Sequence, residues 1–433
     1  MTARRPFGPW LVALLAAGAM ARLGVMIGLD PTTWVAGSDS PFYAAQGWRL
    51  AHGMTPLFPP VSPAYTWLVA AAWSCCPAMP LPQPSDAIPA AVLTIIRVVQ
   101  ILASLAMVWA AIVLVRRWTS NDRAALVTGA GLAFGPAFLL EPFRILTETA
   151  FMSLLYVGLL LWSIRQREQW WPSLTAGLVF GLAALTRPVV MLLPAALVVS
   201  ELCARRDRLR GRRAAAFLVS FTVVAAPWSF SLHHQTGSWL PSGFFANLWI
   251  GAVGDGSWHG GDAADARRSQ FADGPDDYLG ETVAVIRDAP VGWFAVRARN
   301  FGAALLRPHF VSELPGPSTR RAVVHWWLSG RRPGTLMTLA VTPVVILKLI
   351  FFAAHWLALL GGLAGLVRWR HHWRELLPLW TTILYFPTVH LLLTALPRYL
   401  FPIEPALWIA VGLFVSDPGS TARSALSDRD ENA

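Results

Sequence analysis

The side chains best suited to chemistry in this chain are a few acids close to apolar stretches. The segment Gly37-Ser38-Asp39-Ser40-Pro41-Phe42-Tyr43 follows the first such stretch. Ser38 with Pro41 predicts a helix start, with Ser38 as the N-cap and Asp39 in the first turn. Tyr43, four residues on, shares the helix face of Asp39. A carboxylate there can take a proton from an attacking hydroxyl. It can equally well do no more than favour the helix dipole. Glu141 and Glu148 are further acids of this kind, and Glu148 can bind a substrate or metal or cap the helix it begins. His233-His234 and His371-His372 invite a metal reading. Adjacent residues on a helix point about 100° apart, so one site rarely uses both. Asp273, Asp276 and Asp277 lack the spacing of a calcium loop. No metal site is therefore assigned, and no cofactor is implied beyond a divalent cation that the acids leave open.

These residues act only where the chain holds them, and the composition places most of the chain in a bilayer. Of 433 residues, 55% are hydrophobic and only 14% are charged; the mean hydropathy is +0.49. That is too little charge to coat a soluble globule of this size and too much apolar content for disorder. Ten apolar stretches are candidate spans: Trp10–Leu29, Ala90–Val115, Ala124–Leu140, Thr149–Ile164, Leu174–Thr186, Val189–Cys203, Ala214–Leu232, Leu336–Val367, Leu376–Leu396 and Phe401–Val415. Leu174–Cys203 is interrupted by Arg187-Pro188 and is expected to break there. Pro63–Cys76 is too short to cross and reads as an interfacial or re-entrant helix. The first stretch reads as an uncleaved anchor rather than a signal peptide.

Net charge is +11 and could suggest nucleic acid. Its distribution gives another reason. With the N-terminus inside, eighteen arginines fall in inner segments and four in short outer loops, the bias expected of a multi-pass inner-membrane protein with both termini in the cytoplasm. The expected organisation is an N-terminal membrane core over 1–232 with an outer loop at 30–89. A large periplasmic loop at 233–335, C-terminal spans at 336–416 and a cytoplasmic tail at 417–433 complete it. The stretch Gly254–Tyr278, rich in Gly and Asp, reads as a loop over the active site. Cys75, Cys76 and Cys203 show no ligand or disulfide pattern and read as small apolar residues. There is no Walker A, GxSxG or HExxH sequence.

Several short motifs, in order, resemble the GT-C glycosyltransferases that use polyprenyl-phosphate sugars. The resemblance is to the family 39-like group, relatives of protein mannosyltransferases and lipid A aminoarabinose transferases. In the first outer loop it rests on Asp39, Tyr43, Gly53, Pro59, Pro60 and Pro63, with Ser40 where a second acid is usual. Further along it rests on Leu146-Thr147-Glu148, Leu185-Thr186-Arg187-Pro188, Pro227-Trp228, Asn247-Leu248-Trp249 with Gly251, Asp288-Ala289-Pro290, and Arg398-Tyr399 with Pro402 and Pro405. The family's Arg-Asn after Pro-Trp is replaced here by Ser231-Leu232.

The resemblance implies an all-α polytopic GT-C fold and transfer of a sugar to a hydroxyl of a glycan, lipid or protein at the periplasmic face. Asp39 would be the general base. The phosphate leaving group needs positive charge, and Arg398, Arg187 and, more weakly, Arg144 would supply it through arginine's planar fork. Arginines at a membrane edge can instead snorkel or pair with Glu148 or Glu404. Tyr43, Glu148, Asn247, Trp249 and Tyr399 would line the substrate site, with Trp249 and Trp258 as sugar-stacking candidates. The partners implied are the lipid-linked donor, the acceptor and membrane lipid, without nucleic acid. A transporter or flippase, or a catalytically silent GT-C scaffold, are the competing readings. Arg22, Arg97 and Lys348, the basic residues inside apolar stretches, show no pattern that favours a transporter.

Overall fold

The computed structural model describes residues 7–28, 39–55, 63–76, 88–164, 170–204, 209–253, 275–312, 314 and 343–418. Among these there is no strand, and the described residues form helices α1 to α17. α1 (Phe7–Gly28), α2 (Ser40–Ala51), α3 (Pro63–Ser74) and α4 (Ala90–Thr119) come first. α4 is 30 residues long and apolar. It ends at Ser120, which takes the left-handed conformation with φ 51°. Asn121 then caps α5 (Asp122–Phe134), its side chain accepting from Ala124 N at 3.1 Å.

α6 (Pro136–Leu140) and a 3₁₀ turn (Glu141–Phe143) follow, then α7 (Glu148–Ser163), α8 (Trp171–Thr186), α9 (Leu193–Ala204) and α10 (Leu209–Thr236). α11 (Ser242–Val253), α12 (Pro275–Asp288) and α13 (Pro290–Leu305) lie in the stretch expected to form the large loop. α14 (Pro343–Arg368), α15 (Leu377–Leu392), α16 (Pro397–Leu400) and α17 (Glu404–Val415) complete the chain.

Each of the ten expected spans contains helix among the described residues, while Leu29 and residues 336–342 lie outside them. Among the described residues, five helices are long and apolar enough to cross a bilayer: Phe7–Gly28, Ala90–Thr119, Gly211–Thr236, Pro343–Arg368 and Pro397–Val415. The others are shorter. The expected span Ala124–Leu140 breaks at Gly135-Pro136, with a bend of 54°, because proline cannot donate to the preceding turn. The stretch around Arg187-Pro188 breaks as its sequence implies: α8 stops at Thr186, and a 3₁₀ turn at Pro188–Val190 leads to α9.

A broken helix inside a membrane leaves carbonyls that need donors. Buried side chains of α1 and α4 supply them. Arg22 is fully buried and donates to Ala133 O at 2.9 Å, Phe138 O at 3.2 Å and Leu132 O at 3.4 Å. It also reaches Gly18 O and Ser104 Oγ. Arg97 Nε donates to Phe143 O at 3.2 Å, and Gln100 Nε2 to Pro142 O and Arg144 O at 3.1 and 2.7 Å. The interior arginines Arg22 and Arg97, patternless in sequence, thus serve one segment, Leu132–Arg144.

Close helix contacts fix the rest. α14 lies so near α17 that a Cβ on Gly365 would fall 1.9 Å from Ala410 O. α8 meets α10 at Gly177, where a Cβ would fall 2.2 Å from Phe217 O. Such small-residue seams let helices meet backbone to backbone without water to drive them together. The main core gathers α4, α5, α7, α8 and α17. A second core joins α2, α3 and the start of α4 around Tyr43, Tyr65 and Trp73, with Trp73 Nε1 donating to Ala44 O at 3.1 Å.

Candidate functional site

Four charged side chains from four separate parts of the chain meet at the ends of these helices. Asp39 stands at the N-cap position of α2, with φ −79° and ψ 0°. The helix therefore starts one residue later than the sequence suggested, and Asp39, not Ser38, occupies the cap; Ser38 lies outside the described residues. The Asp39 carboxylate makes no capping bond. Its Oδ2 instead lies 3.0 Å from Arg398 Nη2. Arg398, on α16, also donates through Nε to Glu148 Oε1 in a short contact. Glu148 begins α7 and is fully buried. Its Oε1 lies 3.1 Å from Nη1 of Arg187, the residue that ends α8. That approach has ion-pair distance but lacks hydrogen-bond alignment.

The order is Asp39–Arg398–Glu148–Arg187, two acids alternating with two arginines. Their formal charges cancel, which is how a buried carboxylate such as Glu148 is held charged. Exposure differs among the four: 36% for the Asp39 side chain, 16% for Arg398, 13% for Arg187 and none for Glu148. Asp39 is thus the member that an external molecule reaches most easily. Both carboxylates face arginine, and among the described residues no three His, Cys, Asp or Glu side chains form a metal-binding group.

The sequence-selected aromatics flank this row. Tyr399 is next to Arg398 and stacks on His390, with centroids 5.3 Å apart. The Arg187 guanidinium sits 5.6 Å from the Tyr399 ring and 5.8 Å from Phe151. Tyr43 is buried and packs edge-on against Tyr65 at 5.1 Å. Arg144, also buried, lies 3.9 Å from Glu141 and covers the Phe310 ring. Glu141 Oε2 is also 3.1 Å from His309 Nε2. His309, which sequence reading missed, comes from the large loop.

Asn247 and Trp249 take other places. The Asn247 side chain donates to Gly243 O within its own helix, at 2.6 Å. Its backbone carbonyl accepts from Thr394 Oγ1 at 2.8 Å. Trp249 is fully buried against Tyr278 and donates to Glu281 Oε2 at 2.6 Å. The structure groups it with α12, not with the charged row. Gly251 packs on Leu393, whose C and O a Cβ would meet at 3.0 Å. The Asn247–Gly251 motif therefore docks α11 on the turn after α15. Pro59, Pro60, Trp258 and Asp273 lie outside the described residues, as do the side chains of Asp276 and Asp277.

Sequence reading also missed Arg297, on α13. It is 1% exposed, and burial pushes its guanidinium down to about 10, still charged at neutral pH.

Residues 87–230 match the family model described as dolichyl-phosphate-mannose-protein mannosyltransferase. The match takes in Glu148 and Arg187. The structure is similar over 97% of this chain to ArnT from Cupriavidus metallidurans bound to undecaprenyl phosphate, with TM-score 0.52 and 16% identity. The fold is that of the GT-C glycosyltransferases. This chain spans 62% of that ArnT. It is also similar to the oligosaccharyltransferase AglB of Archaeoglobus fulgidus in complex with an inhibitory peptide and a dolichol-phosphate. There the TM-score is 0.50 at 14% identity, covering 94% of this chain and 50% of that one. The same archaeal enzyme tethered to an acceptor peptide containing the NVT sequon gives TM-score 0.50 at 13% identity, over 93% of this chain and 49% of that one. No curated protein matches this chain in sequence. Multi-pass membrane residence and, among the described residues, an all-helical fold stand together on these findings.

Proposed function

We propose that the protein transfers a sugar from a polyprenyl-phosphate donor to a hydroxyl of a glycan, lipid or protein, with Asp39 as general base. One observation carries this: Arg398 joins the half-open carboxylate of Asp39 to buried Glu148, so that a base and a cationic anion holder stand side by side. The relatives fit the donor class, since one solved structure holds undecaprenyl phosphate and another dolichol-phosphate.

In the reaction, the acceptor oxygen forms a bond to the anomeric carbon as the bond from that carbon to the phosphate oxygen breaks. The acceptor proton passes to Asp39, and the phosphate departs as an anion. Arg398 and Arg187 hold that anion, which is why a general acid is dispensable. Glu148 keeps both arginines oriented from its buried position. Tyr399 and Tyr43 shape the site's edges. The work is done at the outer face of the inner membrane, with both termini in the cytoplasm, as the arginine distribution implies.

The test is transfer in membranes supplied with purified polyprenyl-phosphate sugar. Asp39→Asn, present at the normal protein level, is expected to lose activity about 100-fold or more, the loss typical of a missing general base. Full activity would remove Asp39 from the chemistry.

A further inference from the structure

Two helices end beside one buried guanidinium. The last carbonyls of α11 and α15 have no partner within their own helices. Arg297 supplies donors to both ends. Its Nη1 donates to Gly251 O, in the last turn of α11, at 2.8 Å. Its Nε donates to Leu391 O at 3.1 Å, and its Nη2 to His390 O at 3.3 Å and, in a short contact, to Leu393 O. All four acceptors are backbone carbonyls. A cation suits helix C-termini, and only a rigid fork reaches two of them at once. A lysine's three donors diverge from a single point.

The segment so held leads directly to the charged row. Leu393 stands five residues before Arg398. Thr394 is tied from both sides, its carbonyl to His390 Nδ1 at 3.2 Å and its hydroxyl to Asn247 O at 2.8 Å. His390 in turn stacks on Tyr399. Every one of these contacts lies in the stretch His390–Tyr399, and both outside anchors, Arg297 and Asn247, come from the large loop.

We propose that Arg297 is a positioning residue for the Asp39–Arg398–Glu148 row: by clamping the carbonyls of His390, Leu391 and Leu393 to Gly251, it sets the path of Leu393–Leu396 and so the aim of Arg398. Large-loop packing is thereby coupled to the anion-holding arginine. This rests on the reading of Arg398 as the holder of the donor phosphate.

The experiment uses the full-length protein in nanodiscs with undecaprenyl phosphate as probe. Binding is measured for wild type, Arg297→Met, Arg297→Lys, Arg398→Ala and the Arg297→Met/Arg398→Ala double variant. Arg297→Met is expected to weaken binding roughly tenfold, within the range of couplings between residues of one network. Arg297→Lys should recover part of the loss. The double variant should bind no worse than Arg398→Ala alone. Losses that simply multiply would overturn the proposal.

Hydrogen exchange supplies the readout that does not depend on the phosphate reading. In Arg297→Met the amides of Leu393, Tyr399 and Leu400 are expected to exchange roughly tenfold faster, while α4 and α7 keep their protection. Unchanged exchange at Leu393–Leu400 rejects the clamp, and so does loss of protection throughout. If Arg297→Met does not fold, Arg297→Lys carries both measurements. Should Arg398→Ala bind undecaprenyl phosphate as wild type does, the phosphate reading fails by itself, and the exchange pattern decides the clamp.

Discussion

Glu148 shows how little freedom the charged row has. It is fully buried and holds one oxygen against both Arg398 and Arg187. Glu148→Gln keeps the shape but leaves two cations without their shared anion. It is expected to cost about 3 kcal/mol of stability, the scale of breaking a buried pair, read as a lower midpoint in thermal unfolding. Unchanged unfolding would show that the arginines find other partners. Arg398→Ala is expected to raise the donor concentration needed for half-saturation, read from transfer at varied donor. Unchanged saturation would take Arg398 out of the phosphate site. Much of this row was legible in sequence. Asp39, Glu148, Arg187 and Arg398 each sit at a helix end that proline or a motif announces. Trp249 was misleading because an indole that stacks on sugar and one that fills a core read alike in sequence. Arg297 could not be read at all, because its partners are backbone carbonyls and leave no side-chain signature.

Among the elements, apolar run length located the helices, five of them long enough to cross a bilayer among the described residues, while their bends and contacts stayed hidden. Gly135-Pro136 marks the break between α5 and α6, yet Arg22, Arg97 and Gln100 lie far away in sequence, and nothing local says that they serve it. Arg22→Met is expected to destabilise the protein by about 3 kcal/mol, since it leaves several buried carbonyls without donors. The disturbance should centre on Leu132–Arg144, visible as faster hydrogen exchange there; uniform exchange would contradict it. The α14–α17 seam makes a second case. Gly365→Ala places a methyl against the Ala410 carbonyl and is expected to cost about 3 kcal/mol by overpacking. A melting temperature equal to wild type would mean that the helices separate freely.

Across the whole molecule, the arginine asymmetry predicts a topology. Alkaline phosphatase fused after Val253 is expected to be active, because it would lie outside, and inactive when fused after Ala204. The reverse pattern would turn the protein over and put Asp39 on the cytoplasmic side. The order of synthesis matters as well. Arg22 lies in α1, which leaves the ribosome before α4, α5 and α6, and an arginine inside a span costs up to about 3 kcal/mol. Its partners outside α1 lie 82 to 116 residues downstream, roughly ten seconds away at ordinary elongation rates. During that interval α1 offers its guanidinium only the Gly18 carbonyl. Its first placement in the bilayer is therefore provisional, and a chain arrested before Phe138 should remain open to extraction by the quality-control machinery that a completed chain escapes.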